Sequence, residues 1–144
     1  ERVIVPAISE YDYIIQDRGI LSGYAYGTAC GNSFNSIRNM AIQNVHSAND
    51  TNLFDIHPES IYDFVVYLRG DIDKGLQKAL SSKQEFETGD AMESRGSDFL
   101  GQVLVNMDKY SSYFNTVRID VDDSSIEEVQ DKILVSLNLP KRNT

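Results

Sequence analysis

The sequence predicts an α/β fold, a parallel sheet flanked by helices on both faces, and three observations carry that expectation. Short, near-continuous apolar runs alternate with longer stretches whose apolar residues recur at helical spacing. The runs are apolar along their length rather than at every second residue, the pattern of strands covered on both faces. Each run ends in polar residues and passes into a helical pattern through capping or turn residues.

Taken in order, ERVIVPAIS places Val3, Ile4, Ala7 and Ile8 on one helical face, with Pro6 kinking the helix or marking its first turn. The chain opens on Glu1 in what reads as mid-helix, so the amino-terminal part of a larger domain is expected upstream. Tyr13 to Gln16 reads as a buried strand, closed by Asp17-Arg18. Gly19 to Gly27 and Ser33 to Ser47 read as helices; in the second, Phe34, Ile37, Met40, Ala41 and Val45 share the helical repeat. Asn49 to Asn52 is polar and turn-prone.

Asp63 to Leu68, DFVVYL, is the clearest strand. Asp71 can cap a helix through Leu80, with Leu76 and Leu80 on one face. Residues 81–95 lose the pattern and read as a mobile, lid-like loop. Ser97 to Phe114 resumes as a helix that turns Leu100, Leu104, Met107 and Tyr110 or Ser111 inward. Val117 to Val121 is a third strand. Ser124 with Glu127 matches a capping box for a last helix, with Ile126, Val129, Ile133 and Leu137 as its buried stripe. The tail from Pro140 is expected to fray. No repeat or Pro- or Gly-rich linker divides the chain, so residues 1–144 read as a single, partial domain.

The totals exclude several functions. A chain of 144 residues that is 41% hydrophobic can build a core. Its net charge of -9 argues against nucleic acid, which needs a basic stripe to displace counterions. A lone cysteine, Cys30, cannot form an internal disulfide; it reads as a buried or half-buried thiol in a reducing, intracellular setting. No apolar run approaches the roughly 18 residues of a membrane span, and the expectation is a cytoplasmic protein.

The segment YDYIIQDRGILSGYAYG concentrates the chemistry. Ligands of open α/β sheets bind at the carboxyl ends of strands, where Asp17 and Arg18 are expected. A carboxylate there can hold magnesium, and the planar arginine fork suits bidentate contact with a phosphoryl group. Ser22 and Tyr26, four residues apart, share a helical face and would set a hydroxyl and a ring beside that pair. The residue types alone equally allow a capped strand end and an ordinary core tyrosine.

On these residues the chain resembles the thymidylate kinase family of nucleoside monophosphate kinases. YDYIIQDRGILSGYAYG is similar to its DR-x-x-x-S-x-x-AY segment, DFVVYL to its next strand and DIDKGLQKAL to the helix leading into its lid. GDAMES resembles the acidic end of the lid, FLGQVLVNMDKYSSYF its long helix and VRIDVDDSSIEEVQDKI its final strand and helix. The resemblance implies a P-loop kinase fold and transfer of the ATP γ-phosphoryl group to dTMP, with Mg2+. Arg18 would contact the dTMP phosphate, Asp17 would lie near the metal and Tyr26 would pack beneath the deoxyribose. Gly23 falls where relatives often place a side chain reaching the thymine edge, and Gly19 where an aromatic or His is common. Lys78 and Lys83 stand where relatives supply catalytic arginines, and Ala91 where Arg would follow Asp90; both lysines also read as plain solvated side chains. The loop of Asp120, Val121 and Asp122 would lie against adenine. A homodimer is left open, since the apolar helices from Glu1 and Phe34 either face a partner or pack in the core.

No G-x-x-x-x-G-K-[ST] occurs, so these residues lack the loop that cradles the β- and γ-phosphates. The resemblance puts that loop upstream, on a strand between the one ending at Asp17 and Asp63–Leu68. The 144 residues alone are therefore expected to be inactive, with exposed apolar sheet edges. A deoxynucleoside kinase of related fold and a non-catalytic nucleotide-binding module are the alternatives.

Overall fold

The computed structural model describes residues 10–48, 57–75, 77 and 96–139. Helix α1 spans Ile20–Ala29 and α2 Phe34–Ala48. A 3-10 turn, Pro58–Ile61, leads into strand β1, Val65–Arg69. Helix α3, Gly96–Tyr110, continues through a 3-10 turn, Ser111–Tyr113, into β2, Thr116–Asp120, and α4 covers Ile126–Ser136. The result is a mixed fold in which a small parallel sheet of two strands is flanked by helices.

Local chemistry explains the element ends. Asp71 starts a helical turn over 72–75 as expected, its carboxylate accepting the Lys74 amide at 3.0 Å. Leu76, Leu80 and the 81–95 loop lie outside the described residues. The last helix is capped one residue later than the spacing suggested. Ser125 accepts from the Glu128 amide while Glu128 accepts from the Ser125 amide at 2.7 Å. With two serines and two glutamates in succession, either register satisfies the S-x-x-E rule, and only the backbone decides.

The strands pair in register, Val65 with Thr116 through Arg69 with Asp120. The expected first strand does not form. Residues 13–16 join no ladder among the described residues, and Ile15 is 96% exposed. A strand is made by its neighbour's hydrogen bonds, and among the described residues β1 and β2 bond only each other. β1 is not covered on both faces either. Tyr67 is buried, whereas Leu68, on the opposite face, is half exposed.

The core forms where α1 crosses α3. Tyr24 is fully buried, and Leu21, Tyr110 and Phe114 surround it, with Phe34, Ile37, Ala41, Val65 and Met107 packed against them. The Tyr24 ring meets Phe34 edge-on at 5.0 Å, and Phe34 stacks on Tyr110 at 4.6 Å. Each such pair contributes about 0.5–1.5 kcal/mol beyond area burial. On α3 the inward positions are Val103, Asn106 and Tyr110 rather than Leu100 and Leu104, which are only half buried. Asn106 faces inward because its amide donates to the Ala25 carbonyl at 3.1 Å. Met40, Ile126 and Cys30 are exposed against expectation. Ile126 is the first residue of α4, and the helix stripe that follows it is half buried at best.

Candidate functional site

The Asp17-Arg18 turn immediately precedes α1. Arg18 has φ 55°, the left-handed region that a residue with a Cβ rarely occupies, and Gly19 follows as the helix N-cap in extended form. Gly19 lends no side chain to capping. The Tyr62 hydroxyl substitutes, accepting the Ile20 amide at 3.3 Å and donating to Gln16 Oε1 at 2.7 Å. A Cβ at Gly19 would lie 2.9 Å from the Tyr62 oxygen. A side chain at this position would displace the tip of Tyr62.

Two of the expected substrate-site residues, Arg18 and Tyr26, come together. The Arg18 guanidinium lies 5.8 Å from the centre of the Tyr26 ring, within cation-π range. Ser22, one turn before Tyr26, is half buried, and Gly23 is exposed with open space where a Cβ would project. Phe99, from the start of α3, packs its ring 6.2 Å from Tyr26 and was not foreseen. Tyr26 is consequently neither deep core nor free surface; among the described residues its ring lies between Phe99 and Arg18.

Asp17 is exposed. Among the described residues no group of three or more His, Cys, Asp or Glu side chains could hold a metal by itself. Magnesium beside phosphates is commonly held by one or two carboxylates, the phosphate oxygens and water, of which Asp17 would supply one carboxylate.

The expected adenine loop is occupied by local structure. Asp120 is exposed and 3.8 Å from Arg118, the Val121 amide donates to the Arg69 carbonyl at 2.9 Å, and the Asp122 carboxylate accepts the Asp71 amide. These contacts tie the carboxyl ends of β1 and β2 together. Lys78 and Lys83 lie outside the described residues. Lys74 is described, and pairs with Asp123 at 3.3 Å, which raises its pKa.

Sequence reasoning missed a buried polar network beside the core. Glu59, 7% exposed, accepts from the Tyr24 hydroxyl at 2.7 Å and from Arg38 at 2.8 and 3.2 Å. Arg38 also donates to His57 Nδ1 at 2.7 Å, which sets the neutral tautomer with its proton on Nε2. Burial pushes the Glu59 carboxyl up, but the Arg38 and Tyr24 hydrogen bonds outweigh it and its pKa lies below the ordinary value. Burial and the Glu59 carboxylate raise the Tyr24 pKa well above its ordinary value. An open groove of about 470 Å3 runs beside this network, with Tyr62, Tyr113 and Phe114 on its apolar side. No sequence signal marks Glu59; PES before an apolar run reads as a turn.

A second cluster lies at the sheet. Asp108 is 3.6 Å from Arg69 and 3.4 Å from Arg118, and Arg118 lies 6.0 Å over the Tyr67 ring. The buried Tyr67 hydroxyl has no hydrogen-bond partner among the described residues. Burial, with the nearby Asp108 charge, pushes its pKa up to about 12.

Comparison of the chain with protein-family models, with curated proteins and with solved structures gives no match. Among the described residues no helix is long and apolar enough to cross a membrane.

Proposed function

We propose that the chain is the carboxy-terminal part of a thymidylate kinase, a cytoplasmic enzyme that transfers the ATP γ-phosphoryl group to dTMP, and that it carries the acceptor half of the site. The observation that carries this reading is Arg18 lying over Tyr26 at the mouth of α1. A phosphate on the Arg18 fork leaves its attached sugar within reach of the Tyr26 ring, beside Ser22 and the open space at Gly23.

In this reading Arg18 binds and orients the acceptor phosphate, and Tyr26 with Phe99 forms an apolar wall that excludes water from one side of the sugar. Asp17 would hold Mg2+, which when bound neutralises charge on the transferring phosphoryl group. The donor half comes from an upstream P-loop, whose strand would pair with the open edge of β1. The exposed Tyr13 and Ile15, in a segment with no ladder partner among the described residues, support that arrangement.

Calorimetry with dTMP on the 144-residue chain tests the acceptor site; binding is expected, and no binding at millimolar dTMP would sink it. Joined to the upstream coding sequence, the chain should form ADP with dTMP. Phosphorylation of thymidine instead would make it a deoxynucleoside kinase. An upstream sequence without a P-loop would leave a binding module.

A further inference from the structure

We propose that Tyr62 is a positioning residue for Arg18, holding the turn around it in the left-handed form that lays the guanidinium across Tyr26. The functional consequence rests on Arg18 being the phosphate contact; the mechanical one does not.

Arg18 occupies a backbone region that its own side chain disfavours, so something outside the turn must keep it there. Tyr62 does so from both sides. Its hydroxyl bonds the Gln16 side chain before Arg18 and the Ile20 amide after it. Its ring lies against Gly19, where a Cβ would be 2.9 Å from the hydroxyl oxygen and 3.1 Å from Cζ. The hydroxyl therefore closes on a turn where a Cβ would push the tip of Tyr62 away.

Tyr62 is itself anchored. It follows directly on the Pro58–Ile61 turn, whose Pro58 and Glu59 are buried, and its ring meets the buried Phe114 edge-on at 6.2 Å. By contrast, residues 11–18 are exposed throughout and contribute nothing to the core. Fixing that turn has little value for packing. It has direct value for aiming Arg18, because a charged side chain of this length on a free turn would sample many directions.

The test compares the unaltered 144-residue chain with Tyr62→Phe and Gly19→Ala. The Phe variant keeps the ring and its packing and removes both hydrogen bonds; the Ala variant drives the ring away from the turn. Three quantities are read: Ile20 amide exchange, the shift of the Arg18 side-chain resonances in the Tyr26 ring current, and dTMP affinity by calorimetry. In Tyr62→Phe, Ile20 exchange should accelerate about fivefold, as loss of one ordinary hydrogen bond gives. The Arg18 ring-current shift should collapse and the dTMP dissociation constant should rise about tenfold, with the unfolding transition still cooperative. Gly19→Ala should reproduce the last two effects, and serves alone if the Phe variant does not fold. An Arg18 ring-current shift that survives in the folded variants overturns the proposal, as does unchanged affinity for dTMP where the unaltered chain binds it. If the unaltered chain binds no dTMP while the ring-current shift still collapses, the positioning role stands and the substrate reading fails.

Discussion

The two faces of α1 put neighbouring tyrosines to different uses. Tyr24 is fully buried, touches Phe34, Tyr110 and Phe114, and gives its hydroxyl to Glu59. Tyr26, two residues on and so on another side of the helix, is half exposed between Phe99 and Arg18. One face is committed to holding the fold, its hydrogen bonds and ring contacts satisfied within the protein. The other has a ring, a hydroxyl and a guanidinium whose arrangement does little for stability. A buried aromatic on a helix is committed to packing; a half-buried aromatic beside an exposed arginine keeps surface that a ligand could use.

The sharpest way to break that comparison is truncation on the packed face. Tyr24→Ala removes the centre of the aromatic cluster and one of the hydrogen bonds to Glu59, and should destabilise by about 4 kcal/mol, a large share of a domain's stability of about 5–15 kcal/mol. Loss of the cooperative thermal transition would show it; a fall in Tm of only a few degrees would mean that Tyr24 is not the core's centre. Glu59→Ala leaves Arg38 and the Tyr24 hydroxyl without their shared acceptor and should cost about 2–3 kcal/mol in urea unfolding. The same carboxylate sets an acid limit. Its pKa is lowered on folding, so its contribution is present above the ordinary glutamate value of 4.5 and is lost as pH falls through the lowered one. Glu59→Gln should flatten the stability profile in that acid range.

Tyr67 supplies the opposite limit. Its pKa is raised on folding, so its contribution is intact below the ordinary value of 10.0 and disappears as pH rises through about 12. Tyr67→Phe should make alkaline unfolding shallower over that window. On the open face, Tyr26→Ala should cost only about 1 kcal/mol in stability, the aromatic and cation-π contacts together, while reducing dTMP affinity at least tenfold. Equal loss of stability for Tyr24→Ala and Tyr26→Ala would erase the distinction between the faces. At the bottom of the scale, Lys74→Ala should leave Tm unchanged, since its pair with Asp123 is solvent-exposed.

Much of the architecture was legible residue by residue. The Phe34, Ile37 and Ala41 repeat, the Asp71 cap, DFVVYL and the Tyr110 end of α3 are local patterns, and each forms the element it suggests. Tyr13 to Gln16 read equally well and did not become a strand, because composition marks the willingness to pair and not the presence of a partner. Of the site, the Asp17-Arg18 pair with Ser22 and Tyr26 was visible as spacing. Phe99, Glu59 and Tyr62 were not, since each acts across a long stretch of chain with no periodicity to announce it.

What the sequence determined by itself is the order of the described helices and of the two strands that form, with the acidic, lone-cysteine character of the chain, because capping, spacing and charge are properties of neighbours along a backbone. Only the tertiary structure decided that Arg18 adopts φ 55° and that the Tyr62 hydroxyl closes on the turn beside the bare Gly19. Those are contacts between residues more than forty positions apart, and distance along the chain carries no information about distance in space until the core has brought the two together.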